Sequence, residues 1–184
     1  LTGNSALVDN SVYSFAPSRQ KILWIGTESG LNYYSYHNRR IEKFPVIADG
    51  KIVKYVHSIR EVNDSTLWVV SAGEGIVKII LDTTSFLPKV KSARRFTLDG
   101  GKRNSNYFFV SFQENDSILW FGNRGYGAYK MNIHTNQLIS CRIDNSVKNQ
   151  TVNDIFAIHK NDEGYWFGTS FGLTRLYQGE YRVY

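Results

Sequence analysis

One tryptophan-glycine string is written four times along this chain, and it limits the fold more than any other feature. The copies are LWIGTESGLNYYSY (23–36), LWVVSAGEGIVKII (67–80), LWFGNRGYGAYKMN (119–132) and YWFGTSFGLTRLYQ (165–178). Trp24, Trp68, Trp120 and Trp166 are the chain's four tryptophans, one per copy, each followed six or seven residues later by a glycine (Gly30, Gly75, Gly127, Gly172). Successive tryptophans lie 44, 52 and 46 residues apart, the spacing of propeller blades. Four such units account for the 184 residues. The expected architecture is therefore all-β: a β-propeller segment of four blades, each of four antiparallel strands.

Composition agrees. Aromatic residues make up 15% of the chain, with 15 glycines and 3 prolines, which favours strands and tight turns over helices. No apolar run is long enough for a membrane helix, and residues 1–10 lack a signal-peptide pattern. Cys141 is the sole cysteine, so an internal disulfide is impossible; beside Ile139 and Ile143 it reads as inert packing. The formal charge of +6 gathers around Lys89, Lys91, Arg94 and Arg95, then Lys102 and Arg103. Such a run attracts anions, but it reads more simply as a solvated strand face and loop. No nucleic-acid-binding signature accompanies it.

Taken in order, the units span about 11–44, 53–97, 107–144 and 153–184. Polar connectors at 45–51, 98–106 and 145–152 lead from the last strand of one unit to the first strand of the next. In the second strand Ile22, Trp24 and Gly26 share a face, and a glycine there lets a neighbouring sheet come close. The second unit departs from the pattern, with Val70 in place of that glycine. The tryptophans are expected to fill the space between sheets. An Asn-Asp pair (Asn63, Asn115, Asn161) precedes the motif in three units. It reads as turn chemistry, since too few carboxylates alternate there for a calcium loop. His57 and His159 fall in first strands, but no HxH or HExxH spacing is present, so neither metal nor cofactor is expected. Gly73-Glu74-Gly75 has no helix pattern after it and reads as a turn, not a phosphate loop. No catalytic residues are expected.

The string LWIGTESGLNYYS resembles the two-component regulator propeller repeat. Trp24, Gly26, Thr27, Gly30 and Leu31 match its pattern, as do Trp166, Gly168, Thr169, Gly172 and Leu173. The third unit keeps Trp120, Gly122 and Gly127 but has Asn123 for the threonine; the second keeps Trp68 and Gly75. The resemblance implies a segment of a larger propeller of about seven blades, in the periplasmic sensor of a hybrid two-component protein. Oligosaccharides, acidic ones included, would be the signal, and a histidine kinase beyond a membrane helix the output. Further blades or a second protomer would be partners, with the membrane reached only through the rest of the protein. A protein-interaction scaffold and a propeller lyase or hydrolase are the alternatives. In propeller geometry the candidate ligand-binding residues are Glu28, Glu74, Lys102, Arg103, Arg124, Tyr126 and Phe171. Arg124 and Tyr126 stand out, because an arginine fork beside an aromatic face suits a sugar carboxylate or sulfate.

Overall fold

The computed structural model describes residues 6–141 and 153–184. They form four four-stranded antiparallel sheets, each a meander of consecutive strands. The first holds β1 (Val12–Pro17), β2 (Ile22–Thr27), β3 (Gly30–Ser35) and β4 (Arg40–Phe44). A two-stranded hairpin follows, β5 (Ile47–Ala48) and β6 (Lys51–Ile52). The second sheet holds β7 (Val56–Asn63), β8 (Thr66–Ser71), β9 (Gly75–Asp82) and β10 (Lys89–Phe96). The third holds β11 (Phe108–Gln113), β12 (Ile118–Asn123), β13 (Gly127–Asn132) and β14 (Gln137–Cys141). The fourth holds β15 (Ile155–Asn161), β16 (Gly164–Thr169), β17 (Gly172–Tyr177) and β18 (Glu180–Val183). The expected connector at 145–152, and the end of the third unit beyond Cys141, lie outside the described residues. The chain divides into two compact units, 1–106 and 107–184, with two of the four-stranded sheets in each.

Within each unit the repeat's glycine does what its position suggested. A Cβ on Gly26 would collide with Ser14 and with Val56 of the neighbouring sheet. On Gly122 it would meet Ile155 Cγ2 of the neighbouring sheet at 2.7 Å. Trp24, Trp68 and Trp120 are 0%, 0% and 2% exposed, as core residues should be. Trp166 differs: it is only half-buried, with its indole N–H donated to Asn161 Oδ1 at 2.9 Å. The Asn-Asp pairs are turns. In each, the asparagine Oδ1 accepts the amide two residues on, from Ser65 (3.0 Å), Ser117 (2.9 Å) and Glu163 (3.0 Å).

Two connectors hold more structure than expected. The segment 45–51 is expected from the sequence as a polar link, yet Asp49 (φ 51°) and Gly50 (φ 76°) turn it into the β5–β6 hairpin. Asp-Gly is a strong signal for such a turn. Val46 and Ala48, 1% and 0% exposed, join the core. Residues 53–55 bond outside the sheet, Val53 N–H to Val46 O and Tyr55 N–H to Glu28 O, so β7 starts at Val56 and not at Val53. The connector 98–106 coils into two short 3-10 turns, Asp99–Gly101 and Arg103–Ser105.

A bulge recurs at the same place in the first strand of every four-stranded sheet. The register shifts between Val12 and Ser14, Val56 and Ser58, Phe108 and Val110, and Ile155 and Ala157. The residues at which the register shifts are Tyr13, His57, Phe109 and Phe156. A bulge bends its strand and re-aims the extra side chain. Here it brings aromatic rings together across neighbouring sheets. Tyr13 stacks on His57 at 4.3 Å with an 8° interplanar angle, and Phe109 meets Phe156 at 5.4 Å.

Candidate functional site

The first unit contains a cleft of about 680 Å³. Three loops build it: the β5–β6 hairpin and the residues just after it, the β8–β9 turn, and the stretch after β10. Each is positioned by backbone chemistry. In the β8–β9 turn, Gly73 (φ 81°) and Gly75 (φ 95°) adopt conformations that side chains resist. Both glycine amides donate to Asn106 O, at 2.9 and 3.2 Å. Asn106, fully buried, also shapes the third loop: its Oδ1 accepts Leu98 N–H at 2.7 Å and its Nδ2 donates to Leu98 O and Lys102 O. Tyr55 is held in the left-handed region (φ 52°) by Glu28 O on one side and the Ala72 amide on the other. Non-glycine residues there are uncommon and often mark function.

The cleft is basic. Lys51, Lys54, Arg95 and Arg103 line it, against Glu74 as the sole carboxylate among the lining residues. Arg95 Nη1 donates to Glu74 Oε2 at 3.0 Å and to Glu74 O at 3.1 Å. Its side chain is only 10% exposed. The Arg103 guanidinium lies 5.7 Å from the centre of the Tyr55 ring, within cation–π range. The Lys54 amide donates to Glu74 Oε2 at 3.2 Å.

Of the residues singled out from the sequence, Glu74 and Arg103 meet in this cleft. Lys102 lies on the same loop and contributes through its carbonyl, which accepts the Ser105 hydroxyl at 2.9 Å. Glu28 reaches the site through its own carbonyl, while its carboxylate accepts the Tyr13 hydroxyl at 3.2 Å. Burial, and then the nearby Glu28 charge, raise the Tyr13 phenol above its ordinary range. Arg124, Tyr126 and Phe171 belong to the second unit. The Arg124 amide is tied to Tyr107 O at 2.9 Å, and its side chain is exposed. Tyr126 is half-buried, and Phe171 is 50% exposed with its amide on Thr169 Oγ1.

Sequence reasoning missed Lys51, Lys54, Tyr55 and Arg95 as cleft residues. For Arg95 it expected a solvated strand face. Arg94 is exposed, but Arg95 turns inward onto Glu74. Adjacent strand residues face opposite ways, so only one of the two could be solvated. His57 is half-buried against Tyr13, and burial lowers its imidazole below the ordinary value; His159 is exposed. Burial also raises the Cys141 thiol, leaving it little thiolate character. Among the described residues, no group of three or more His, Cys, Asp or Glu is placed to hold a metal ion. Among the described residues, no helix is long and apolar enough to cross a membrane.

Residues 6–29 match the two-component regulator propeller family. Histidine kinase P4 of Formosa agariphila is 29% identical over 177 residues, covering 89% of this chain and 12% of the kinase. The chain thus spans a small part of that relative. The extracellular domains of two hybrid two-component systems of B. thetaiotaomicron superpose with TM-scores of 0.72 and 0.75. They share 17% and 16% identity, over 98% and 99% of this chain and 24% and 25% of theirs. The WD40 domain of Neurospora crassa Pan2 follows at TM-score 0.58 and 10% identity, over 94% of this chain and 48% of that domain. WD40 repeats build propellers of four-stranded sheets, and at such identities the likeness concerns the fold. The match at 6–29 takes in Trp24, Gly26 and Thr27 of the first copy, and the fold is similar to that of extracellular domains of hybrid two-component systems.

Proposed function

We propose that this chain is a ligand-sensing segment of the periplasmic propeller of a hybrid two-component regulator. It detects oligosaccharides and signals to a histidine kinase elsewhere in the protein. The observation that carries this reading is the coincidence of the repeat match at residues 6–29 with a fold aligned along nearly the whole chain to extracellular domains of such systems. Those domains are about four times longer than the aligned part, which leaves room for the further blades of a ring of about seven. The candidate site supplies binding groups and no nucleophile-base pair, so the mechanism is recognition. Ligand shifts the sensor towards the packing state it binds more tightly, and that preference sets the size of the signal.

The test is made on the full-length protein in membrane vesicles. Autophosphorylation should rise with an oligosaccharide that also raises the melting temperature of the isolated chain; at a hundred times its Kd a ligand adds about 2.7 kcal/mol. Cleavage of the oligosaccharide without any change in phosphorylation would replace sensing with catalysis.

A further inference from the structure

The geometry points to the first-unit cleft as a subsite for an anionic saccharide, one bearing a carboxylate or a sulfate. This rests on the oligosaccharide-sensing reading and adds to it the ligand's charge and the place where it is held.

Three observations converge. The volume, about 680 Å³, lies within the range of about 300–1,000 Å³ that small-ligand sites occupy, which is more than a lone inorganic anion needs. The charge is unbalanced, with Lys51, Lys54, Arg95 and Arg103 facing Glu74 alone among the lining residues. Asp49 stands nearby, its carboxylate accepting the Arg95 amide at 3.0 Å. The third observation concerns Arg95. Its side chain is nine-tenths buried at the cleft wall, and its Nε–H has no acceptor among the described residues. A guanidinium carries five donors in a fixed fork. Glu74 engages Nη1 and Lys51 O accepts from Nη2 at 3.5 Å, so Nε–H is the donor that keeps capacity for a further acceptor. Buried charge of one sign focuses the field of the exposed lysines into the concavity.

The remaining chemistry favours a sugar over an acidic peptide. Gly100 and Gly101 leave bare backbone at the rim; a Cβ on Gly100 would meet nothing within 4 Å. Hydroxyl-rich ligands suit such backbone donors and acceptors, together with Thr97 and the Glu74 carboxylate on the same wall. The Arg103 guanidinium sits 5.7 Å from the centre of the Tyr55 ring. A guanidinium held in one plane matches carboxylate or sulfate oxygens in a way a mobile lysine cannot.

The experiment is calorimetry on the full chain with three probes of equal length: trigalacturonate, a sulfated trisaccharide and neutral galactotriose. Polyglutamate is a fourth. Binding of either anionic sugar, absent for galactotriose and weakened by salt, is the expected result. The double variant Lys54→Gln/Arg103→Gln changes two exposed side chains and should keep its melting temperature while losing affinity about tenfold or more. Equal binding of galactotriose, or undiminished affinity in the double variant, overturns the anionic subsite and leaves sugar sensing intact. Polyglutamate binding as tightly as the sugars overturns the saccharide assignment in favour of an acidic protein partner. No binding of any saccharide overturns both this inference and the sensing role.

Discussion

The two units solve one packing problem with different polar chemistry. In both, a glycine beside a buried tryptophan lets the next sheet approach, Gly26 against Val56 and Gly122 against Ile155. The fastening of the indole then diverges. Trp24 Nε1 donates across the seam to Glu61 of the second sheet at 2.9 Å. The other oxygen of Glu61 accepts the Arg19 amide at 3.0 Å, so the carboxylate ties the first sheet's turn as well. Trp120 Nε1 instead donates to Glu114 of its own sheet at 2.7 Å. Glu114 reaches the neighbouring sheet through Lys160 Nζ at 2.9 Å, with Lys130 Nζ at 3.6 Å. One seam is closed by an indole and backbone, the other by a cluster of charge. The repeat prescribes the apolar contact and leaves its polar supplement free to vary.

The largest test of this comparison is truncation of the tryptophans. Trp24→Ala should cost about 3–5 kcal/mol, the usual range for a fully buried large aromatic. Trp166→Ala, at a half-buried site, should cost well under half as much. Urea unfolding of both variants measures the contrast, and equal costs would remove the distinction between the sheets. Glu114→Gln probes the charged seam, with an expected loss of about 1–3 kcal/mol at neutral pH. Burial pushes the Glu114 carboxyl up, but hydrogen bonds from Trp120, Lys160 and Tyr165 and the charge of Lys130 outweigh it, bringing its pKa from 4.5 to about 2. A lowered folded-state pKa stabilises above the unfolded value. That stabilisation is therefore lost as pH falls from about 4.5 to about 2. Stability measured over this interval should fall less steeply in the variant; parallel curves would assign the acid limb to other groups.

The smallest effect concerns the aromatic pairs. Burial lowers the His57 pKa from its ordinary 6.5, so the unfolded chain takes up the proton first and stability drops as pH falls below 6.5. His57→Phe makes the Tyr13 pair resemble Phe109–Phe156 and should abolish that drop. The gain below pH 6.5 should be about 1 kcal/mol or less, read as a difference in melting temperature between pH 7.5 and 5.5. A variant that keeps the wild-type dependence would place the titration elsewhere.

Much of the fold was legible because its signals are local. The tryptophan period, Gly26 and Gly122, and the Asn63, Asn115 and Asn161 turns each act through neighbours close in sequence or through a repeated position. The β5–β6 hairpin is signalled only by Asp49-Gly50, because its two-residue strands are too short to show an alternating pattern. The site was less legible for a physical reason. Glu74 and Arg95 lie 21 residues apart, on a turn and a last strand. Nothing in either segment shows which of Arg94 and Arg95 faces inward until the register of β9 with β10 is known, and that register is itself shifted between Val90 and Ser92. Tyr55 was hidden in the same way, its position set by Glu28 O and Ala72 N–H rather than by a strand pattern.

The recurring bulge separates what can change in this architecture from what cannot. Ser14, Ser58, Val110 and Ala157, just after it, pair with the repeat's Gly26, Val70, Gly122 and Gly168, and their size is restricted by that contact. The bulged residue itself sits where the register shifts, opposite no glycine of the repeat. Its identity can drift while the sheets stay in register, and Tyr13, His57, Phe109 and Phe156 already sample three side-chain types at one structural address. Such positions can change one residue at a time, with the sheets that display them unaltered.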